Sequence, residues 1–315
     1  MALQIGAKDI LTVTVNPALD VAVSVRELVP DHKLKATHHH RHPGGGGVNV
    51  SRGLRRFGIA SHAWVAAGGA IGQELITRLE AEEISVTCHP IVGQTREAIA
   101  VRDETSGQQY RVVVDGPAID DPEAMVAAVA TRADHADVVV LSGYLAPGLP
   151  ADFYARILRG LPEPTISIVD CDAGPLSHAI SAGATLVKPS ERELSELLGR
   201  ELRTNGDIEA GARDALDMGP VDAIVVSLGA DGALLADRDR GATWFSVPPV
   251  RDVLSTVGSG DAMVAGIVAG LLEGENLADA CRRGVAAGTA AALTPGTELS
   301  SAAHVRTLLP KVGVR

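Results

Sequence analysis

Hydrophobic residues divide most of the chain into short apolar runs separated by amphipathic stretches. Five runs are continuously apolar and mostly β-branched, a pattern typical of parallel strands that are covered on both faces. These runs are 10–15, 137–141, 165–169, 185–188 and 223–227. Between the runs, the stretch 48–57 places Val50, Leu54 and Phe57 on one helical face, and Gly58 follows as a stop signal. The alternation predicts a layered α/β fold with a central, mostly parallel sheet and crossover helices.

Two segments break this alternation. Residues 19–42 and 94–114, approximately, alternate polar and apolar positions as strands do, and Ser106-Gly107 is a hairpin signal between 98–103 and 109–114. We expect a small β-sheet that covers a cleft as a lid, or an extra sheet used for contact between subunits, and these two roles are compatible. The chain has no linker-like composition and no internal repeat, so 1–315 is predicted to be one domain with a lid.

The charge balance limits the class of partner. The chain carries 28 Lys and Arg against 39 Asp and Glu, a formal net charge of −11, which argues against a nucleic-acid backbone as ligand. Neither a signal-peptide pattern nor a run of 18 apolar residues is present, so no membrane partner is predicted. The sequence therefore predicts a cytoplasmic protein that binds a small molecule.

The segment 255–261, Ser-Thr-Val-Gly-Ser-Gly-Asp, carries the most chemical information. Gly258 and Gly260 permit a tight turn whose N–H groups converge on one point, and the helix that follows directs its positive end there. Asp261 could take a proton from a hydroxyl while these amides receive the charge of a moving phosphoryl group. The alternative is that Asp261 only caps the helix.

A glycine run, Gly44–Gly47, precedes a predicted helix and is followed by Asn49. It does not fit the dinucleotide fingerprint, because Asn49 stands where Gly or Ala is required, and it lacks the Lys-Ser/Thr ending of a P-loop. A flexible turn and a ligand loop are both compatible with the run. Asn49 could contact a sugar hydroxyl.

Basic residues that could hold a phosphate lie in the lid segments. They are Lys33, Lys35, Arg41, Arg96 and Arg111, and each could also be a solvated surface charge.

Several motifs occur in a characteristic order, among them TVNPALD, PGGGGVNVSRGL, LVKPSERELSELLG, VVSLGADGALL and STVGSGDAMVAG. In these motifs the chain resembles the pfkB-type carbohydrate kinases of the ribokinase superfamily over nearly its whole length. The resemblance implies a ribokinase-like fold with a small β-sheet lid and transfer of phosphate from ATP to a sugar hydroxyl. It also implies Mg²⁺, a monovalent cation such as K⁺, and a homodimer formed through the lid.

The resemblance assigns roles by position. The implied catalytic residues are the base Asp261 and the anion hole Gly258, Ser259 and Gly260. The implied contacts to the sugar and its phosphate are Asp20, Lys33, Gly45, Asn49, Arg96 and Ser142. The implied ATP-binding residues are Lys188, Ser190, Ser227, Gly229 and Gly232. The implied metal residues are Glu193 for Mg²⁺, through water, and Ser255, Val257 and Gly296 for the monovalent cation.

Two departures from the family pattern concern the reaction itself. Ser259 stands where alanine is usual, which keeps the turn small, and Ser190 stands where asparagine is usual in the Mg²⁺ motif. The leading expectation is phosphorylation of the 1-hydroxyl of fructose 6-phosphate. Tagatose 6-phosphate and fructose 1-phosphate are alternative acceptors. Outside this class, a nicotinamide-dependent oxidoreductase and an inactive metabolite sensor are the remaining alternatives.

Overall fold

The computed structural model describes residues 9–251, 253–294 and 299–315. The strands are β1 (Ile10–Thr14), β2 (Ala18–Val25), β3 (Ala36–Gly44), β4 (His62–Ala67), β5 (Ser85–Pro90), β6 (Arg96–Asp103), β7 (Gln109–Val113), β8 (Val138–Ser142), β9 (Ile166–Asp170), β10 (Leu186–Val187), β11 (Ala223–Ser227), β12 (Ala233–Asp237), β13 (Gly241–Ser246) and β14 (Gly313–Val314). The helices are α1 (Gly46–Arg56), α2 (Gly69–Ala81), α3 (Pro122–Ala133), α4 (Phe153–Arg159), α5 (Ala173–Ala182), α6 (Glu191–Leu198), α7 (Asn205–Asp217), α8 (Ser259–Leu272), α9 (Leu277–Ala292) and α10 (Ala302–Leu308).

The large sheet has ten strands in the order β14-β13-β12-β11-β10-β9-β8-β1-β4-β5. The strands from β11 to β5 are parallel, and β12, β13 and β14 extend the sheet as antiparallel strands at one edge. The predicted mostly parallel sheet is therefore confirmed. The strand predicted at 185–188 is reduced to Leu186–Val187, since the nearby Pro189 has no N–H with which to continue the ladder.

The four strands of the small sheet lie in the order β3-β2-β6-β7, and the hairpin predicted around Gly107 joins β6 to β7. The predicted lid sheet is confirmed, and its central pair β2–β6 is parallel. The register places Ile99 opposite Val112 and Val101 opposite Tyr110, so these residues share one face of the lid. Ile99, Tyr110 and Val112 are exposed there.

The large sheet is covered on both faces, as its continuously apolar strands require. In β8, Val139 and Leu141 pack with α4, α5 and α7, whereas Val138 and Val140 pack with α1, α8 and α9. Helix α8 approaches α9 closely, because a Cβ on Gly266 would lie 2.9 Å from Gly284 Cα. This packing fixes the direction of α8 and therefore the position of its first turn. Across the described ranges, no helix has the length and apolar character needed to cross a bilayer.

Candidate active site

A cleft of about 310 Å³ opens at the sheet edge where β1, β8 and β9 end, between this edge and the lid. Ligands of open α/β sheets bind at this edge because the loops that follow the strands converge there. The cleft is also within the volume range of small-molecule sites. The predicted site residues that line it are Asp20, Gly45, Asn49, Arg96, Ser142, Glu193, Val257, Gly258 and Asp261.

Asp261 lies in the first turn of α8. The turn before it is formed by Gly258, whose φ of 75° is left-handed and favours glycine. Within the described residues no side chain caps α8, so the capping alternative for Asp261 is not what the structure contains. Asp261 Oδ2 instead accepts a hydrogen bond from Asn49 Nδ2 at 2.9 Å, across the cleft from α1. The Ser259 amide donates to the Thr256 carbonyl oxygen at 3.3 Å. The next amides in the first turn of α8 have no partner within their own helix and can receive an anion beside this carboxylate.

The ionisation of Asp261 is strongly perturbed. Burial raises its pKa first, and the neighbouring negative charges of Asp170 and Asp20 raise it further. The hydrogen bond from Asn49 and the charge of Lys188 act in the opposite direction, and the resulting pKa is about 7. A carboxylate with this pKa is a much stronger base at neutral pH than an ordinary aspartate.

Lys188 lies directly beneath this turn. Its Nζ is 3.0 Å from Asp170 Oδ1, and a Cβ on Gly260 would lie 3.4 Å from Nζ. Burial alone would lower the pKa of Lys188, but the charges of Asp170 and Glu193 hold it above its usual value. The turn is therefore backed by a buried, charged ammonium group, which adds to the positive potential at the first turn of α8.

The glycine run is packed against the ends of β1 and β8. Gly45 has a left-handed φ of 107°, and a Cβ on Gly46 would lie 2.3 Å from Ser142 Oγ. The next amide, that of Val48, donates to Thr14 Oγ1 at 2.9 Å. The run is thus a fixed loop rather than a flexible turn. Among the described residues, Asn49 Oδ1 and Ser142 Oγ are buried without a hydrogen-bond partner, which leaves both available to a ligand hydroxyl.

Arg96, at the start of β6, enters the cleft with its guanidinium held by one residue. Its Nε donates to Asn16 Oδ1 at 3.0 Å, and its Nη2 donates to the Asn16 carbonyl oxygen at 3.3 Å. Arg111 of β7 and Tyr144 line the same cleft. Asn16 and Asp170 were missed by the sequence analysis. Asn16 lies within the TVNPALD motif, and this was the only signal that pointed to it.

A second, open groove of about 600 Å³ lies beside the cleft and contains three of the residues predicted to bind ATP, Ser190, Ser227 and Gly229. Ser190 begins α6 with a reciprocal pair of hydrogen bonds to Glu193. The Ser190 amide donates to Glu193 Oε2 at 2.8 Å, and the Glu193 amide donates to Ser190 Oγ at 3.2 Å. This capping box fixes Glu193 where the groove and the cleft meet.

Other predicted residues lie outside both cavities. Lys33 is exposed in the loop after β2 and does not line the cleft of its own chain. Gly232 follows the groove residues in sequence. Local packing requires glycine at this position, because its φ is 104° and a Cβ would lie 1.8 Å from the Phe245 carbonyl oxygen. Ser255 is buried, with its amide donating to the Ala292 carbonyl oxygen. Gly296 lies outside the described residues.

Residues 15–303 match the profile of the pfkB family carbohydrate kinases. The chain belongs to the pfkB family. This pfkB kinase is 40% identical over 297 residues to the ATP-dependent 6-phosphofructokinase isozyme 2 of Mycobacterium tuberculosis, a match that covers 93% of the chain and 86% of the relative. It is 30% identical to the 1-phosphofructokinase of Bacillus subtilis, with 97% and 99% covered.

The chain is also similar to solved structures over nearly its whole length. Phosphofructokinase-2 of Escherichia coli in complex with potassium superposes with a TM-score of 0.89 at 35% identity, covering 96% of this chain and 98% of the other. The same enzyme in complex with fructose-6-phosphate gives a TM-score of 0.87 at 34% identity with the same coverage. The protein is therefore a sugar kinase with a ribokinase-like α/β fold, and the oxidoreductase alternative is set aside.

Proposed function

We propose that this kinase transfers the terminal phosphate of ATP to the 1-hydroxyl of fructose 6-phosphate, giving fructose 1,6-bisphosphate. One observation carries the proposal: a single cleft is lined by a carboxylate whose pKa is about 7 and by two arginines, Arg96 and Arg111. The carboxylate suits deprotonation of a hydroxyl, and the arginines suit a phosphate already present on the acceptor. The 40% identity to a 6-phosphofructokinase supports the same acceptor.

In this proposal Asp261 is the general base. Asn49 holds the carboxylate through its amide hydrogen, and its unpartnered Oδ1 accepts from a sugar hydroxyl, as does Ser142 Oγ. Asp20 lies close enough to both Asp261 and Arg96 to act on the pKa of each, which supports a contact between Asp20 and the sugar. The amides of Gly258, Ser259 and Gly260, with Lys188 beneath, stabilise the charge on the moving phosphoryl group.

The remaining assignments concern ATP and the ions. Ser190, Ser227 and Gly229 would hold the nucleotide in the adjoining groove. Glu193 uses Oε2 in its capping box, and its Oε1 lies 3.8 Å from Arg192 Nη2 at the exposed end of that long side chain. We propose that Oε1 holds a water on Mg²⁺, the ion that would neutralise the phosphates of ATP. A K⁺ site at Ser255 and Val257 is part of the same proposal, and the potassium complex of the Escherichia coli relative supports it.

We also propose that the kinase is a homodimer formed through the lid. Ile99, Tyr110 and Val112 are 38%, 44% and 55% exposed on one face of the small sheet, and an apolar face of this kind is typical of an interface. Light scattering should give the mass of two chains. Tyr110→Asp should give monomers, whereas Met218→Asp, at an exposed apolar residue that follows α7, should leave the dimer intact. A monomeric unmodified chain would refute this part of the proposal.

The acceptor is tested by measuring ADP release over a panel of fructose 6-phosphate, tagatose 6-phosphate, fructose 1-phosphate and free fructose. We expect the highest kcat/KM with fructose 6-phosphate. Arg96→Gln should raise KM for this acceptor about 10- to 100-fold, the loss expected for a hydrogen bond to a charged group, with little change in KM for ATP. Highest efficiency with fructose 1-phosphate would favour the activity named for the Bacillus subtilis relative. Turnover of free fructose alone would refute the phosphate site.

A further inference from the structure

Asn16 connects the two parts of the cleft that would meet the phosphate of the acceptor. It follows β1 in the loop at the carboxyl edge of the sheet. Its Nδ2 donates to the Leu145 carbonyl oxygen at 3.3 Å, while its Oδ1 accepts from Arg96 Nε at 3.0 Å. One side chain therefore joins the loop after β8, which carries Tyr144, to the guanidinium on the lid strand β6.

The contacts between Asn16 and Arg96 fix the plane of the guanidinium. Nε is shared between Oδ1 and the main-chain oxygen of Asn16, at 3.0 and 3.4 Å, and Nη2 reaches the same main-chain oxygen at 3.3 Å. These bonds occupy one edge of the donor fork and leave the rest of it for a ligand. A guanidinium held in this way loses less freedom when it binds a phosphate than one that must first be ordered.

The arrangement is tightly packed on one further side. A Cβ on Gly116 would lie 2.4 Å from Asn16 Oδ1 and 3.7 Å from Arg96 Cδ, so a larger residue there would displace the Asn16 side chain. Asn16 thus has contacts from the ends of β1 and β8, from the lid and from the segment that leaves the lid. These contacts restrict the orientation of its amide on the side away from the cleft.

The neutrality of Asn16 matters as much as its shape. Burial lowers the pKa of Arg96, and the charges of Asp20 and Asp115 offset this effect only in part. A carboxylate at position 16 would pair with the guanidinium and compete with the phosphate of the acceptor. An amide accepts the same hydrogen bond without adding negative charge, so the positive charge of Arg96 remains available to the ligand.

We propose that Asn16 is a positioning residue that orients Arg96 for the phosphate of the acceptor and so contributes to the selection of phosphorylated sugars. The inference rests on the proposed function, because it takes Arg96 to be the phosphate contact. It predicts an order of effects that a merely structural residue would not give. Asn16→Asp keeps the shape and the acceptor but adds charge, whereas Asn16→Ala removes the acceptor and adds no charge.

The test measures KM for fructose 6-phosphate and for ATP in both variants. Asn16→Asp should raise KM for the sugar phosphate about 10- to 100-fold, and Asn16→Ala should raise it less, about threefold to tenfold, with KM for ATP within about twofold of the unmodified enzyme. Asn276→Asp is the matched control, since it adds the same charge at the start of α9, beyond the far end of α8 and about 20 Å from the cleft. Its kinetic constants should be unchanged.

Two results would overturn the inference. One is an alanine variant impaired as much as or more than the aspartate variant, which indicates a packing role. The other is an equal rise in KM for ATP, which indicates general damage to the site. Arg96→Gln separates this inference from the proposed function. If it raises KM for fructose 6-phosphate while Asn16→Asp does not, only the role of Asn16 is wrong. If it changes KM for no phosphorylated ketose, the phosphate site itself is wrong.

Discussion

Replacing Asp261 by asparagine should lower activity and raise stability at the same time. The variant keeps the size of the side chain but cannot take a proton. Loss of a general base typically costs between about 10² and 10⁴ in turnover. We therefore expect kcat to fall by two to four decades, roughly, while KM for ATP changes little, since the carboxylate acts on the hydroxyl and not on the nucleotide.

The stability effect follows from the raised pKa of Asp261. Raising a carboxyl pKa from 3.8 to about 7 corresponds to at most about 4 kcal/mol against the charged form. Because the folded state holds this proton more tightly than the unfolded state, the carboxyl lowers the free energy of unfolding as pH rises from about 4 to 7. The asparagine variant should thus unfold at a higher temperature than the parent at pH 8, and the two should converge towards pH 4.

The pH dependence of the unmodified enzyme checks the same reasoning. With a base of pKa about 7, kcat/KM at pH 6 should be about a tenth of its high-pH limit, whereas an ordinary aspartate would leave it unchanged over this range. Asp222→Asn is the control. Burial raises the pKa of that carboxyl too, but Asp222 precedes β11 and lies at the amino ends of the strands, opposite the cleft. A loss below tenfold in Asp261→Asn, or a flat pH profile, would refute the assignment of Asp261 as base.

Two further predictions concern single contacts. Asn49→Ala removes the hydrogen bond that lowers the pKa of Asp261, so the acid limb of the kcat/KM profile should move to higher pH; an unmoved limb would contradict this. Gly232→Ala should lower the free energy of unfolding by roughly 3 kcal/mol or more, because its Cβ would overlap the Phe245 carbonyl oxygen. Gly174→Ala, where a Cβ meets open space within α5, should be neutral or stabilising by up to about 1 kcal/mol in the same thermal assay.

The sequence predicted those parts of the fold that depend on local pattern. β1, β8 and β9 are continuous apolar runs, and α1 has its apolar face at helical spacing, so their positions could be inferred. The antiparallel strands β12, β13 and β14 could not be inferred in this way. The segment 227–232 was interpreted only as a nucleotide loop, whereas it also forms the tight turn that reverses the chain between β11 and β12. Strand direction depends on this turn and not on the apolar pattern of either strand.

The residues of the site also divide into those that local motifs predicted and those that only the fold brings together. Asp261 and Asn49 were found because each lies in a short motif whose chemistry is local. The hold of Asn16 on Arg96 joins residues 80 positions apart in the sequence, and the pair between Lys188 and Asp170 depends on two neighbouring strands ending at one edge. Neither contact has a local signature. A single sequence shows which groups are present, but it does not show which of them are brought together by the sheet.

The basicity of Asp261 is a consequence of how the sheet gathers charge. The fold brings Asp20 and Asp170 close enough to Asp261 to raise its pKa, with Lys188 as the buried cation beside Asp170. Repulsion and burial destabilise the ionised form of Asp261, and this same cost makes the carboxylate a base suited to neutral pH. The cost can persist only because the turn cannot move away. Helix α8 is held against α9 at Gly266 and Gly284, where any larger residue would separate the helices. Close packing one to two turns along α8 from the cleft therefore maintains the reactivity within it.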